Sequence, residues 1–226
     1  NSTEINLWSG DDSNEEFEHF FSNHLRKIIY LSEGNTLDNV RYLSKNNANI
    51  ARIAYIKNIF SDKTILVPYR KPLQQAISLK RQHDHFLDIH RTDSFSKAYM
   101  KNIGHFEFGD NLRPFNFNDW LEKQKKSNIG SLDFFLEYWC EAFEYVYTEN
   151  RSDILLLNYS KLCDNPLESL ETLARRLALT PSRKLTNQHR FLVPETIRNI
   201  EVNSFRNELV RRANHIYDKL VDISIN

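Results

Sequence analysis

The stretch VPYRKPLQQAISLKRQHDHF, residues 67–86, decides the fold of this chain, because it predicts a buried strand that runs directly into a helix. The residues KTIL before it lengthen the strand, which ends on Arg70. Pro72 suits the first position of the helix, where a backbone N–H would have no partner. The helix is predicted to turn an apolar face inward and to carry a polar stripe. The apolar face comprises Leu73, Ala76 and Ile77, and the polar stripe comprises Gln75, Ser78, Gln82 and His85.

The same order of strand and helix recurs along the chain. Further strands are predicted at a short extended piece, residues 40–43, and at the apolar run ILLLNY, residues 154–159. Ser13 and Glu16 have the spacing of a capping box at the start of the first helix. Besides the helix that starts at Pro72, helices are predicted within residues 11–29, 50–60, 131–149 and 163–179, the last beginning at Pro166 after the cap residue Asn165, with one or two amphipathic helices in residues 194–225.

Apolar strands that alternate with helices favour an α/β fold with a parallel β-sheet flanked by helices on both faces. The chain is predicted to be a single domain over residues 1–226. An aromatic, turn-rich excursion at approximately residues 91–129 is predicted to be an acceptor-side segment or lid. Ligands bind such sheets at the carboxyl ends of the strands. The segments of interest are therefore residues 44–47, 69–78 and 158–162.

Composition narrows the classes of function. The 226 residues carry 30 basic and 30 acidic side chains, so no net charge attracts nucleic acid or an anionic membrane. Cys140 and Cys163 are far apart in sequence and predict neither a disulfide framework nor a zinc cluster. No apolar run approaches the roughly 20 residues of a membrane-spanning helix. We expect a cytoplasmic protein, with the Golgi lumen as the alternative if the chain is eukaryotic and lacks an N-terminal section.

Cationic and hydroxyl side chains stand at the predicted strand ends. Arg70 lies where a strand meets a helix N-terminus, and together with Ser78 it is expected to bind a phosphate. The alternative is a strand-terminal arginine in a salt bridge beside a solvated helix face. Lys45 closes the extended piece and is either a ligand of a phosphate or sulfate group or a solvated turn residue. Tyr159 either contacts a base or anchors the end of its strand.

Three motifs, which occur in order within two stretches of the sequence, resemble those of sulfotransferases that use 3′-phosphoadenosine 5′-phosphosulfate (PAPS) as the donor. The stretch YLSKNNANIARIAYIKNIFSDKTILVPYRKPLQQAISL, residues 42–79, contains the family's lysine-bearing strand end and its segment R-x-P-x-x-x-x-x-S. The stretch ILLLNYSKLCDNPLESLETLARRLAL, residues 154–179, contains the later pattern Y-x-x-L-x-x-x-P. The resemblance covers approximately residues 35–180.

The resemblance implies a sulfotransferase domain of P-loop-like α/β fold, here with a helical C-terminal tail. It implies that Arg70 and Ser78 bind the 3′-phosphate of the donor and that Tyr159 approaches the adenine. Lys45 matches the lysine that stabilises the transferring sulfuryl group. PAPS is then the co-substrate, and no metal is required. The acceptor is expected to be a small molecule, carbohydrate or lipid that offers a hydroxyl or an amine.

The sequence departs from the family at two points. None of the five glycines lies in a loop of the type R-S-G-T-T, which would hold the 5′-phosphosulfate. We therefore expect the first strand and loop to be missing, and a missing N-terminal segment or a partner chain to complete the sheet. The second departure is Asn47, where cytosolic members have a histidine. The alternative general bases are His85 on the polar stripe and His105 or Glu107 in GHFEFG, ahead of His83, which lies off the stripe.

Other functions stay open beside sulfuryl transfer. A non-catalytic or truncated binding module would keep the fold without the chemistry. A nucleotide kinase-like phosphotransferase is less favoured, because the sequence has no Walker-type loop and no magnesium-binding carboxylate after a strand. The basic segment SRKLTNQHR, which includes Arg183, Lys184 and Arg190, is either a loop that closes over the 3′-phosphate or a solvated loop.

Overall fold

The structure is a computed structural model that describes residues 5, 7, 12–32, 40–124, 128–149, 154–179 and 204–225. The chain divides into a smaller compact unit, Leu7–Lys63, and a larger one, Asn1–Asn6 with Thr64–Asn226. The described α-helices are α1 (Glu15–Ser32), α2 (Ile53–Ile59), α3 (Pro72–Thr92), α4 (Ser94–Asn102), α5 (Leu132–Glu149), α6 (Tyr159–Asp164), α7 (Pro166–Arg176) and α8 (Asn207–Asp222). The strands are β1 (Ile65–Tyr69) and β2 (Ile154–Asn158), and short 3-10 helices lie at Asn47–Arg52, Gly109–Asn111 and Phe117–Lys123.

β1 and β2 form a parallel two-stranded sheet. Ile65 is paired with Ile154 at one end, and Tyr69 is paired with Asn158 at the other. These strands and their parallel arrangement confirm the coarse α/β prediction, although helices make up most of the described chain. Every residue of β2 is buried, whereas Leu66 of β1 is 39% exposed. The prediction that helices cover both faces of the sheet is therefore wrong for β1.

Residues 40–46 form no strand. They are irregular, and Leu43 is 93% exposed. A strand satisfies its backbone groups by pairing with a neighbour, and no strand of the described chain pairs with this segment. The prediction of a strand at residues 40–43, with Lys45 at its end, is therefore wrong. The chain instead enters a 3-10 turn capped by Asn46, whose Oδ1 atom accepts the Ala48 N–H at 2.8 Å.

In the smaller unit, α1 is capped one residue later than the sequence predicts. The Phe17 N–H donates to Asn14 Oδ1 at 2.9 Å, and the Asn14 N–H donates to Glu18 Oε1 at 3.0 Å. Asparagine is as good an N-cap residue as serine, so the sequence offers two neighbouring starting points. The pair Asn14 and Glu18 thereby takes the place predicted for Ser13 and Glu16. Glu18 also accepts a hydrogen bond from the hydroxyl of α2 residue Tyr55 at 3.1 Å.

α5 is the central helix of the larger unit and packs against both α3 and α8. Its side chains fill much of the core, because they are apolar on nearly all sides. Trp139 donates its indole N–H to Gln75 Oε1 of α3 at 3.2 Å. Ion pairs join α8 and its N-cap residue to α5, from Arg212 to Glu141 at 2.8 Å and from the N-cap residue Arg206 to Asp133 at 3.0 Å. The predicted helices at residues 131–149 and in the C-terminal tail are confirmed over α5 and α8.

The segment between α4 and α5 is anchored on α3 by two buried histidines. His83 Nδ1 accepts the backbone N–H of Gly109 at 3.1 Å, and His90 Nδ1 accepts that of Asp110 at 3.1 Å. Gly109 has a φ of +66°, and a Cβ atom added to it would lie 2.6 Å from the His90 ring. Lys97 of α4 adds an ion pair to Asp110 at 2.7 Å. The aromatic excursion is therefore held against α3 at this turn, and its role as a lid stays a prediction.

Candidate anion-binding site

The candidate site lies at the carboxyl ends of the two strands. Because Tyr69 and Asn158 are paired in the sheet, the residues that follow them, Arg70 and Tyr159, leave neighbouring strands at the same edge. The Arg70 Cζ atom lies 5.4 Å from the centroid of the Tyr159 ring. A guanidinium over an aromatic ring at this distance is a cation–π contact. The structure thus places these two predicted site residues against each other.

The Arg70 guanidinium is incompletely paired. Its Nε and Nη2 atoms are buried, and neither has a hydrogen-bond partner in the described part of the chain. A buried neutral donor without a partner costs roughly 1–3 kcal/mol, and a charged donor costs more. Guanidinium N–H groups also match the paired oxygens of carboxylates and phosphates. Arg70 is therefore suited to bind an anion that reaches this edge of the sheet.

The N-terminus of α3 adds to the positive character of this edge. α3 begins at Pro72, as predicted, and the N-cap residue Lys71 makes no side-chain capping bond. The first N–H groups of the helix therefore carry partial positive charge next to Arg70. Ser78 is half-buried on the same helix, and at 1.5 Å per residue it lies about 9 Å along the axis from Pro72.

A buried polar network lies beneath this edge. Asn158 is 1% exposed, and its Nδ2 atom donates to the Tyr217 hydroxyl at 3.1 Å and to the Tyr69 hydroxyl at 3.3 Å. The Tyr69 hydroxyl is also hydrogen-bonded to the hydroxyl of Ser224. Burial raises the pKa of Tyr69, so its phenol stays protonated in the network. Sequence reasoning missed Tyr217 and Ser224, because no local pattern links residues so far apart along the chain.

Tyr159 is the first residue of α6 and interacts with Cys163, one turn further on. Burial and the hydrogen bond with the Cys163 thiol raise the pKa of Tyr159, while the nearby Arg70 charge lowers it. Cys163 is half-buried and reduced. The other cysteine, Cys140 of α5, is fully buried, and burial raises its pKa to about 12. The two thiols therefore differ sharply in chemical accessibility.

Lys45 and His85, two of the predicted catalytic residues, are both exposed. Lys45 belongs to the smaller unit and is exposed in the irregular segment 40–46. His85 is exposed on α3, about 20 Å along the helix axis from Pro72, and its ring centroid lies 5.9 Å from that of Phe86. Both catalytic assignments stay predictions. His83, ranked lower because it lies off the polar stripe, is buried and serves as the backbone acceptor described above.

His105 and Glu107 form a pair of their own. The Nδ1 atom of His105 lies 3.5 Å from Glu107 Oε2, and the imidazole is 56% exposed. A carboxylate that accepts a hydrogen bond from one ring nitrogen of a histidine sets which nitrogen is free to take up a proton. The structure therefore brings together two of the three predicted base candidates. Their use in catalysis stays a prediction.

Arg183, Lys184 and Arg190 of the predicted basic loop lie outside the described residues. Within the described part of the chain, no group of three or more His, Cys, Asp or Glu side chains is arranged to hold a metal ion. A search of the same residues finds no helix with the length and apolar character needed to cross a membrane. Comparisons of the chain with protein-family models, with curated proteins and with solved structures give no match.

Proposed function

We propose that the chain binds the 3′-phosphate of an adenine nucleotide at Arg70, and that it acts as a sulfotransferase with PAPS as the donor. One observation carries the proposal: Arg70 holds two buried nitrogen atoms without a partner in the described chain, at the strand edge where ligands bind α/β sheets. A phosphate fits this arrangement, because it offers paired oxygens to the guanidinium.

The surroundings of Arg70 support a nucleotide rather than a free inorganic ion. Tyr159 presents an aromatic ring beside the guanidinium, and a ring of this kind stacks on a purine as readily as on a cation. The N-terminus of α3 supplies further positive potential. The half-buried hydroxyl of Ser78 lies on the same helix and is assigned as the second ligand of the 3′-phosphate.

In the proposed reaction, an acceptor hydroxyl or amine attacks the sulfur atom of PAPS. A bond forms from the acceptor to sulfur, the bond from sulfur to the bridging oxygen of the phosphosulfate breaks, and 3′,5′-adenosine diphosphate leaves. Lys45 is assigned to the negative charge that develops on the bridging oxygen. The acceptor proton passes to a general base. Among the candidate bases His85, His105 and Glu107, the geometry favours His105, because its Nδ1 atom lies 3.5 Å from Glu107 Oε2.

The experiment is calorimetric titration of 3′,5′-adenosine diphosphate and of adenosine 5′-monophosphate into the chain. We expect the bisphosphate to bind at least tenfold more tightly, and Arg70→Ala to abolish that difference. Arg113→Ala is the matched control, because Arg113 also stacks on an aromatic ring, 4.5 Å from the centroid of Phe106, and is not a predicted ligand of the nucleotide. Equal binding of the two nucleotides to the unaltered chain would reject the proposal.

Catalysis is tested separately by the release of 3′,5′-adenosine diphosphate from PAPS in the presence of alcohols, carbohydrates, lipids and amines. Sulfuryl transfer is supported if the release depends on the acceptor and if Lys45→Ala reduces it. Tight binding of the bisphosphate without any release would support the proposed binding site but not the proposed reaction. It would favour a non-catalytic binding module.

A further inference from the structure

The side-chain amide of Asn158 makes hydrogen bonds through both its oxygen and its nitrogen atom. Its Oδ1 atom accepts the backbone N–H groups of Ser160 at 3.0 Å and Lys161 at 3.2 Å, which caps α6. Its Nδ2 atom donates to the hydroxyls of Tyr217 and Tyr69, as described above. One buried amide thereby connects the ends of both strands, the first turn of α6 and the helix α8.

This connection matters because α6 is short. The helix covers only Tyr159–Asp164, and a helix of one to two turns is not stable on its own in water. The direction in which its first residue points is therefore set by the cap and by what holds the cap in place. That first residue is Tyr159, whose ring lies under the Arg70 guanidinium.

We propose that Asn158 is a positioning residue of the anion site: by capping α6 it fixes the Tyr159 ring, and through that ring it fixes the direction of the Arg70 guanidinium. The inference rests on the proposed function, because it assigns Asn158 a role in recognising the 3′-phosphate. Asn158 itself touches no ligand in this proposal. Its polar contacts with Tyr69 and Tyr217 keep the amide in the orientation that leaves Oδ1 for the cap.

The test compares two variants of similar size that differ in one oxygen atom. Asn158→Ala and Asn158→Ser both lose the contacts with Tyr69 and Tyr217, but serine is a good N-cap residue and alanine is a poor one. Tyr217→Phe is the control that removes one tether without touching the cap. Circular dichroism sets a temperature at which every variant is folded. Should the alanine variant not fold, Asn158→Val and Asn158→Thr provide the same comparison with larger side chains.

The first measurement is the rate at which iodoacetamide alkylates the chain. Cys163 is half-buried in α6, whereas Cys140 is fully buried with a pKa of about 12, so the fast-reacting thiol reports on α6. Asn158→Ala is expected to react about fivefold faster, because loss of a cap favours opening of the helix by that factor. Asn158→Ser and Tyr217→Phe are expected to stay within about twofold of the unaltered chain.

The second measurement is the ratio of the affinities for 3′,5′-adenosine diphosphate and adenosine 5′-monophosphate. A general loosening of the fold would weaken both nucleotides equally, but misplacement of Arg70 weakens only the bisphosphate. The ratio is expected to fall about fivefold in Asn158→Ala and to recover in Asn158→Ser. If alanine and serine give the same ratio, or if alanine leaves it unchanged, the positioning role is overturned. If the unaltered chain shows no preference, the proposed function fails, and this inference fails with it.

Discussion

The Nδ1 atom of His83 lies 3.1 Å from the backbone nitrogen of Gly109 and accepts its hydrogen bond. His90, two turns further along α3, accepts the N–H of Asp110 in the same way. An imidazole nitrogen can accept a hydrogen bond only while it carries no proton. The turn at Gly109 is therefore bound to α3 by His83 in its neutral form, and burial lowers the pKa of His83.

This arrangement predicts a loss of stability in mild acid. Around His83, Asp84 and Asp110 raise its pKa and Lys80 lowers it, but burial is the largest effect. The folded pKa lies below that of the unfolded chain, so the unfolded state binds more protons as the pH falls. The contribution of His83 to the free energy of unfolding should thus be fully present above about pH 6.5. It should be lost as the pH falls through the pKa of His83 in the folded protein. Urea denaturation at a series of pH values measures the decline.

His83→Asn is the control for this pH prediction. The asparagine Oδ1 atom takes the place of Nδ1 as the acceptor for Gly109, but an amide does not titrate. The variant should lose less stability than the unaltered chain between pH 7.5 and 5.5. An identical pH dependence of the two proteins would contradict the assignment to His83.

Gly109→Ala should destabilise the chain by about 3 kcal/mol. Alanine at φ +66° is strained, and its Cβ atom would lie 2.6 Å from the His90 ring and 3.1 Å from Phe86. Gly104→Ala is the matched control, because Gly104 has a φ of +76° and nothing lies within 4 Å of the added atom. The control should cost only about 1 kcal/mol. Equal losses in the two variants, measured by urea denaturation, would show that the contact with His90 adds nothing.

The ion pairs that Arg212 of α8 makes with α5 should contribute more to stability than those made by Arg206, the residue that precedes α8. The side chain of Glu141 is 11% exposed, so Arg212→Ala leaves a nearly buried carboxylate without its partner. We expect a loss of about 2 kcal/mol in the free energy of unfolding. Arg206 is 58% exposed, and Arg206→Ala should cost at most about 1 kcal/mol. Thermal or urea unfolding of both variants tests the difference, and a larger loss for Arg206→Ala would reverse the assignment.

Arg70→Met should not destabilise the free protein. Methionine has a similar length and no N–H groups, so it removes the cost of burying unpaired donors. In a buffer without phosphate or sulfate, the melting temperature should be unchanged or higher. Added 3′,5′-adenosine diphosphate at 100 times its dissociation constant for the unaltered chain should stabilise that chain by about 2.7 kcal/mol and the methionine variant by at most about 1.4 kcal/mol. A marked loss of stability in the methionine variant would show that Arg70 is already paired within the protein.

The strands β1 and β2 are predictable from sequence because each is a short apolar run that ends where helix-starting residues begin. Residues 40–43 look similar, but a strand also needs a neighbour, and neighbours are decided by the rest of the fold. The start of α1 shows a finer limit. Ser13 and Asn14 are both good caps, and only the packing of the helix selects Asn14.

Some contacts of the candidate site are likewise predictable from the sequence, and others are not. Arg70 and Tyr159 are predictable neighbours, since parallel strands in register deliver their following residues to one edge. The tether from Asn158 to Tyr217 is not predictable, because it spans 59 residues and depends on where α8 packs. The pairing of His83 with Gly109 likewise joins a helix to a turn whose path no periodicity describes.

Trp139 supplies this site with a natural fluorophore. Its indole N–H is bonded to Gln75, one turn into the helix that begins beside Arg70. We expect a ligand that displaces the first turn of α3 to change the length of that hydrogen bond, and with it the emission of Trp139. Tryptophan fluorescence of the unlabelled protein is therefore expected to report binding at Arg70.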